Sequence, residues 1–412
     1  MRVGNRPSIP HRKTGKQGMS SQALLTQNPI AFSALKAINA PYEAAMLAAA
    51  ARVIQSGWSI LGPELATFET AFAEYCGVAH CVGVGNGLEA IILLLRAMNI
   101  GPGDAVIVPS HTYIATWLAV SAVGATLVPV EVNPHTMVLE AEAIAAAITP
   151  ETKAILLVHL YGMPCHVPSI QAIAGKIPVI SDSAQSHGAR VLNPDGQLTR
   201  TSALEYASAF SFYPTKNLGA LGDGGAITTN DPQLASRLRT LRNYGSEKKY
   251  HNSEKGTNSR LDEIQAAMLA VKLPHLDTDN AKRRQLAQQY HTSLGEALAR
   301  EGYPVQLPEQ PDWAESVWHL YVVQVPAAWR EPLMQFLQAA GIQTLIHYPI
   351  APHQQLAYAD LCYAPTRFPV AQQLASTVLS LPLDPSLSGS DITRVCEVFL
   401  QGCKTLSESH PL

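Results

Sequence analysis

Short runs of continuously apolar residues, each four to seven long, alternate with longer stretches whose apolar positions recur every three or four residues. The first kind reads as buried strands, the second as amphipathic helices. Strands are expected at 80–85, 105–109, 126–132, 153–160, 178–181 and 206–212, and helices between them at 87–98, 112–123, 140–148 and 168–175. Ahead of these, 41–56 reads as a helix ended by Gly57, and 64–75 as another that opens after the Gly62-Pro63 turn. Strands without polar alternation, separated by helices, predict a mostly parallel sheet covered on both faces. Further on, 259–273 reads as a helix with Ser259 and Asp262 in capping-box spacing, and 279–299 as a helix bridging to a second lobe. That lobe should hold strands at 318–325 and 344–347 and helices at 331–340 and 389–404. The chain thus divides into an extension (1–28), a large α/β domain (29–275) and a small C-terminal α/β domain (276–412).

In such a sheet the ligand lies beyond the carboxyl ends of the strands. Gly85-Asn86-Gly87, Ser110 to Tyr113, His159 to Tyr161 and Asp182 all fall at those ends. Lys216 follows the 206–212 strand, in Ser211-Phe212-Tyr213-Pro214-Thr215-Lys216-Asn217, just before a glycine cluster (Gly219, Gly222, Gly224, Gly225). A lysine on a short loop after a buried strand is partly desolvated, which lowers its pKa and makes it a nucleophile toward carbonyls. Asp182 ends another buried run, where a carboxylate needs a partner; a helix N-cap is the alternative reading. A Schiff-base lysine and an acid for a pyridinium nitrogen are the two parts pyridoxal phosphate chemistry asks of a protein.

Other residues fit around that pair. Gly85-Asn86-Gly87 opens a helix, so the N–H groups of Gly87 and Leu88 offer an anion site, and Ser211 and Asn258 can complete a phosphate cup. Tyr113 can stack on the pyridine face, Gln185 can bond the cofactor's phenolic oxygen, and His347 and Tyr348 can reach the substrate. Histidines of this kind are often satisfied structural residues, and His159, His187 and His319 are left out of the site on that ground.

Composition narrows the classes. The 412 residues are 47% hydrophobic with a formal charge of −3, enough for a large core and without the basic footprint of a nucleic-acid binder. No apolar run reaches membrane-spanning length. Six scattered cysteines lack metal spacing and suit a cytoplasmic protein with reduced thiols. Residues 1–42 carry basic residues and no acidic one until Glu43. Without amphipathic periodicity, the start reads as a tail or as an initiation site placed before the true Met19, rather than a transit peptide.

Together, Gly57 to Pro63, Gly83 to Ala90, Pro109 to Thr116, Asp182 to Ala189, the Lys216 segment and Asn258 to Ala267 resemble the DegT/DnrJ/EryC1/StrS sugar aminotransferases, from about Phe32 onward. The resemblance implies a fold-type I, pyridoxal 5'-phosphate-dependent transaminase. It implies a homodimer with its active site at the interface, Asn258 reaching the phosphate of the other subunit, and an antiparallel strand at 225–229. Lys216 and Asp182 would be catalytic, and Tyr213, His347 and Tyr348 would face the substrate. Tyr161, 241–245 and 346–350 look most like the branch that aminates C3 of a dTDP-3-keto-6-deoxyhexose, with L-glutamate as donor. C4 amination is the alternative; a non-catalytic regulatory protein on the same fold is a more distant one. Ser181 and Ser183 depart from the family, standing where acidic and alanine residues are usual.

Overall fold

The computed structural model describes residues 28–364 and 366–409. Of the extension expected at 1–28, all but Asn28 therefore lies outside the described residues. A seven-stranded sheet runs in the order His80–Val84, Gly225–Thr229, Ala207–Ser211, Val179–Asp182, Thr152–Val158, Ala105–Pro109, Thr126–Val130. Gly225–Thr229 pairs antiparallel with both neighbours, and the remaining pairings are parallel. The α/β class and the antiparallel strand match expectation.

Period-two alternation sends successive side chains to opposite faces. Val106, Leu156 and Ile180 pack against the helices Gly87–Ala97, Ile114–Ala122 and Pro232–Leu241. Ile107, Ile155, Leu157 and Val179 pack against Ala141–Ala145 and Val167–Ala174. Asp182 shares the first face with Ile180 and so projects toward the helix Ile114–Ala122. Register levels Val84, Ser211 and Gly225 with one another, and Asp182 with Val158 and Ala209. The parallel strands therefore deliver their loops to one rim.

The helix Glu43–Ser56 ends at Gly57 in the left-handed region (φ 65°), and Pro63–Cys76 follows. The orphan N–H groups of that second helix and its lead-in are met by a distant carboxylate: Glu263 accepts from Gly62 (2.7 Å), Glu64 (2.9 Å) and Leu65 (3.2 Å). A 26-residue helix, Leu276–Glu301, leads to a second core, where Leu286, Tyr290 and Leu294 meet Tyr321, Trp329, Leu379 and Phe399.

Several expectations change. Ser259 does not cap a helix: that helix is Glu263–Lys272, while Ser259 is buried, accepts from Gly85 N (3.0 Å) and donates to Glu89. No strand spans 344–347; Leu345 makes one bridge to Ser380, and the strand that pairs with Tyr321–Gln324 is Val378–Leu381, preceded by the helix Pro369–Thr377. The helix expected at 331–340 spans Ala327–Ala339, starting four residues earlier and carrying Pro332 within it.

Candidate active site

A cavity of about 570 Å³ opens at the rim, lined by Gly87, Leu88, Tyr113, Asp182, Gln185, Ser211, Tyr213, Lys216, His347 and Tyr348. The structure thus gathers every residue expected from sequence except Asn258, which is exposed and absent from this cavity.

Asp182 is nearly buried; Oδ2 accepts from Thr116 Oγ1 (2.8 Å) and Oδ1 from Ala184 N (3.2 Å). The second contact is a local turn, not a helix cap. Burial raises its pKa, against those two hydrogen bonds and the Lys216 charge, so among the described residues this acid lacks a full counter-charge. Lys216 is held by its N–H to Tyr213 O (2.8 Å), while Nζ has no hydrogen bond or ion pair among the described residues. Burial lowers its pKa to about 8, with Asp182 pulling the other way. The whole residue is half-buried, and it is among the residues that line the cavity.

The phosphate corner depends on close approach. Asn86 caps its own helix by accepting from Glu89 N (2.9 Å), while Gly87 and Leu88 N–H have no protein acceptor among the described residues. A Cβ on Gly87 would lie 2.6 Å from Ser211 Cβ, so only glycine lets that rim close into a cup.

Opposite, Gln185 is fixed at both ends, accepting from Tyr161 N (2.6 Å) and donating to the Tyr348 hydroxyl (2.7 Å). It is buried rather than a solvent-facing helix residue. Tyr161 and Tyr348 both sit at positive φ (59° and 68°) and stack at 6.0 Å; Tyr113 rests against Tyr348 at 5.6 Å. Backbone strain of this kind collects at functional sites.

Sequence reasoning missed His319 and Thr116, both at this site. Thr116 is one helical turn past Thr112, on the face toward Asp182, a spacing that was available to find it. For His319 the signal lay in Asn217, whose side chain binds it (3.0 Å). Ser181, the departure next to Asp182, donates to Glu205, which also meets His159 Nε2 (2.7 Å) and Ser208. A carboxylate from a neighbouring element thus occupies the buried polar space beside Ser181.

Residues 42–400 match the DegT/DnrJ/EryC1/StrS aminotransferase family. The chain belongs to that family. It is 50% identical over 370 residues to a dTDP-3-amino-3,6-dideoxy-alpha-D-galactopyranose transaminase of Aneurinibacillus thermoaerophilus (89% of this chain, 98% of the relative). It is 46% identical over 393 residues to a dTDP-3-amino-3,4,6-trideoxy-alpha-D-glucose transaminase of Streptomyces venezuelae (95% and 100%). The crystal structure of S. venezuelae DesV with a ketimine intermediate superposes with a TM-score of 0.86 at 46% identity, covering 92% of this chain and 99% of that one. The protein is a transaminase, and its cofactor is pyridoxal 5'-phosphate. The cavity suits that group: a cup that a single Cβ would fill, an acid whose pKa burial raises, and a lysine amine with no hydrogen bond or ion pair among the described residues.

Proposed function

We propose that the protein transfers an amino group from L-glutamate to the C3 keto carbon of a dTDP-3-keto-6-deoxyhexose, as a step in amino-sugar biosynthesis. The observation that carries the substrate class is near-full-length identity of 46% and 50% to two transaminases named for dTDP-3-amino sugars.

In this reading Gly87 N, Leu88 N and Ser211 Oγ hold the cofactor phosphate. Asp182, oriented by Thr116, keeps a proton on the ring nitrogen. Gln185 turns its remaining N–H to the phenolic oxygen, and Tyr113 covers the ring. Bound there, pyridoxal phosphate supplies an aldehyde for amines and a ring that accepts electrons from a carbon losing its proton. Lys216 does the proton work: an amine with a pKa near 8 gives and takes a proton readily under ordinary conditions, an effect worth about 10²–10⁴-fold. Tyr213, His347 and Tyr348 line the side left for the sugar.

The working form is a homodimer with Asn258 reaching the partner's phosphate cup. In support, Asn258 is exposed, and Leu47, Ile54, Trp58 and Leu221 leave large apolar side chains at the surface. The large and small domains divide near 275, at the start of the long helix, whose first residue, Leu276, packs with the large domain and whose residues from Leu286 onward pack in the second core. The protein works in the cytoplasm in this reading; among the described residues no helix is long and apolar enough to cross a membrane.

The test is incubation with L-glutamate and the 3-keto and 4-keto dTDP-6-deoxyhexoses, with the new C–N bond located by NMR. Nitrogen at C3 is the expected product; nitrogen at C4, or none with either sugar, contradicts the proposal.

A further inference from the structure

We propose that His319 is a specificity-determining residue, whose Nε2 accepts a hydrogen bond from a hydroxyl of the sugar ring. This rests on the sugar-nucleotide reading above.

The argument begins at a backbone carbonyl. His187 O can only accept, and it takes a hydrogen bond from Asn280 Nδ2 (2.8 Å). That sets the Asn280 amide, so its Oδ1 accepts from Asn217 Nδ2 (2.8 Å). Val317 O accepts from the same Asn217 Nδ2 (3.0 Å), fixing that amide a second time. Asn217 Oδ1 must then be the acceptor facing His319 Nδ1 (3.0 Å), so Nδ1 carries the ring proton. Asn217, Asn280 and His319 are all buried, and solvent does not loosen the chain.

With Nδ1 protonated, a neutral imidazole leaves Nε2 as a bare lone pair. Burial, with Lys216 and Arg283 nearby, keeps the ring neutral. Nε2 has no protein partner among the described residues, and it is not sealed off like the ring nitrogens of His187. His319 lines the catalytic cavity and also an adjoining one of about 560 Å³, together with Thr215 and His347. His347 differs: its Nδ1 meets Ser380 Oγ, a hydroxyl able to give or take, so its tautomer is not dictated.

A buried lone pair of fixed direction repels carboxylates and rewards an O–H donor. A hexose ring carries such donors beside the reacting carbon. A site built to bond a substrate hydroxyl discriminates against the analogue lacking it, because the acceptor is then buried unpaired.

Two variants separate this role from a structural one. In His319→Asn the amide N–H can replace Nδ1 toward Asn217 but nothing reaches the Nε2 position. In His319→Gln the longer side chain can place an oxygen there. Binding of dTDP and of unreactive dTDP-glucose to the full-length cofactor-free protein is measured by calorimetry, and L-glutamate-driven conversion of the bound cofactor by absorbance. We expect His319→Asn to bind dTDP normally and dTDP-glucose about five- to tenfold more weakly. His319→Gln should recover part of that loss, and the glutamate reaction should stay within about twofold. Equal loss for both nucleotides, or unchanged dTDP-glucose binding, overturns the assignment, as does a failing glutamate reaction with sugar binding intact. Wild-type protein offers a check that needs no variant: among dTDP-glucose analogues deoxygenated at single ring carbons, one should bind about five- to tenfold more weakly. Uniform binding across the analogues overturns the assignment while leaving the sugar reading in place. If wild type shows no preference for dTDP-glucose over dTDP, the sugar reading itself fails.

Discussion

Lys216 and Asp182 face the same difficulty from opposite signs: each is charged in water, each is drawn into the rim of the sheet, and neither is paired with the other at contact distance. For Lys216 the consequence can be read as a titration. Its pKa in the folded protein, about 8, lies below the ordinary 10.5. Between those values the unfolded chain holds a proton the native state has shed, so cofactor-free protein should gain stability as pH rises through that window. Urea unfolding from pH 7.5 to 10 should show that rise in wild type and a flatter profile in Lys216→Met. Mild reductive methylation should modify Lys216 half-maximally near pH 8; a midpoint near 10.5 contradicts the burial argument. For Asp182, replacement by Asn removes the charge but not the shape. Turnover should fall by about 10²–10³ while cofactor still binds through its phosphate, checked by steady-state rates beside a binding titration.

At the scale of elements, strand ends and helix starts place the chemistry. The helix opening at Gly87 can have Ser211 beside its free N–H groups only because its first residue has no side chain toward Ser211. Gly87→Ala should raise the cofactor's Kd about 5- to 150-fold, from steric overlap of the kind that costs about 1–3 kcal/mol in a packed site. Gly57→Ala, with open space around it, should leave Kd unchanged while costing stability through its positive φ. Glu263 holds three N–H groups at the start of Pro63–Cys76, so Glu263→Gln should lower Tm by several degrees, corresponding to about 1–3 kcal/mol. Glu263 also marks what the sequence conveyed. The apolar runs 105–109 and 126–132 and the helix ending at Gly57 were legible because period and caps are local signals. Ser259 and Asp262 matched a local capping pattern too, yet the first helical residue, Glu263, serves another helix 199 positions away by a contact no local pattern encodes. The 344–347 run failed for a related reason: β-branched and aromatic residues there suit a strand, but the partner edge is taken by Val378–Leu381.

At the scale of the molecule, the lysine loop is pinned from three sides. Asn217 ties it to Asn280 on the long helix and to Val317 and His319 ahead of the second core, and Lys272 donates to Gly219 O (2.6 Å). None of these partners neighbours the loop in sequence, which is why Lys216, Asp182 and the phosphate cup could be named from the chain while His319 was left out. Asn258 stands apart, exposed and outside its own cavity, and the proposed dimer assigns it to the other subunit's site. Mixing Lys216→Ala and Asn258→Asp proteins, each nearly inactive, should therefore restore about a quarter of wild-type activity, because half of randomly paired dimers carry one intact composite site. No recovery after verified exchange contradicts a shared site.

The account stands most directly on where the cofactor is bound. Borohydride reduction of the pyridoxal phosphate-loaded protein, followed by peptide mapping, should place the pyridoxyl group on Lys216 in nearly every chain and on no site in Lys216→Ala. Label on Lys272 or another lysine, or full labelling of the Lys216→Ala protein, would contradict it.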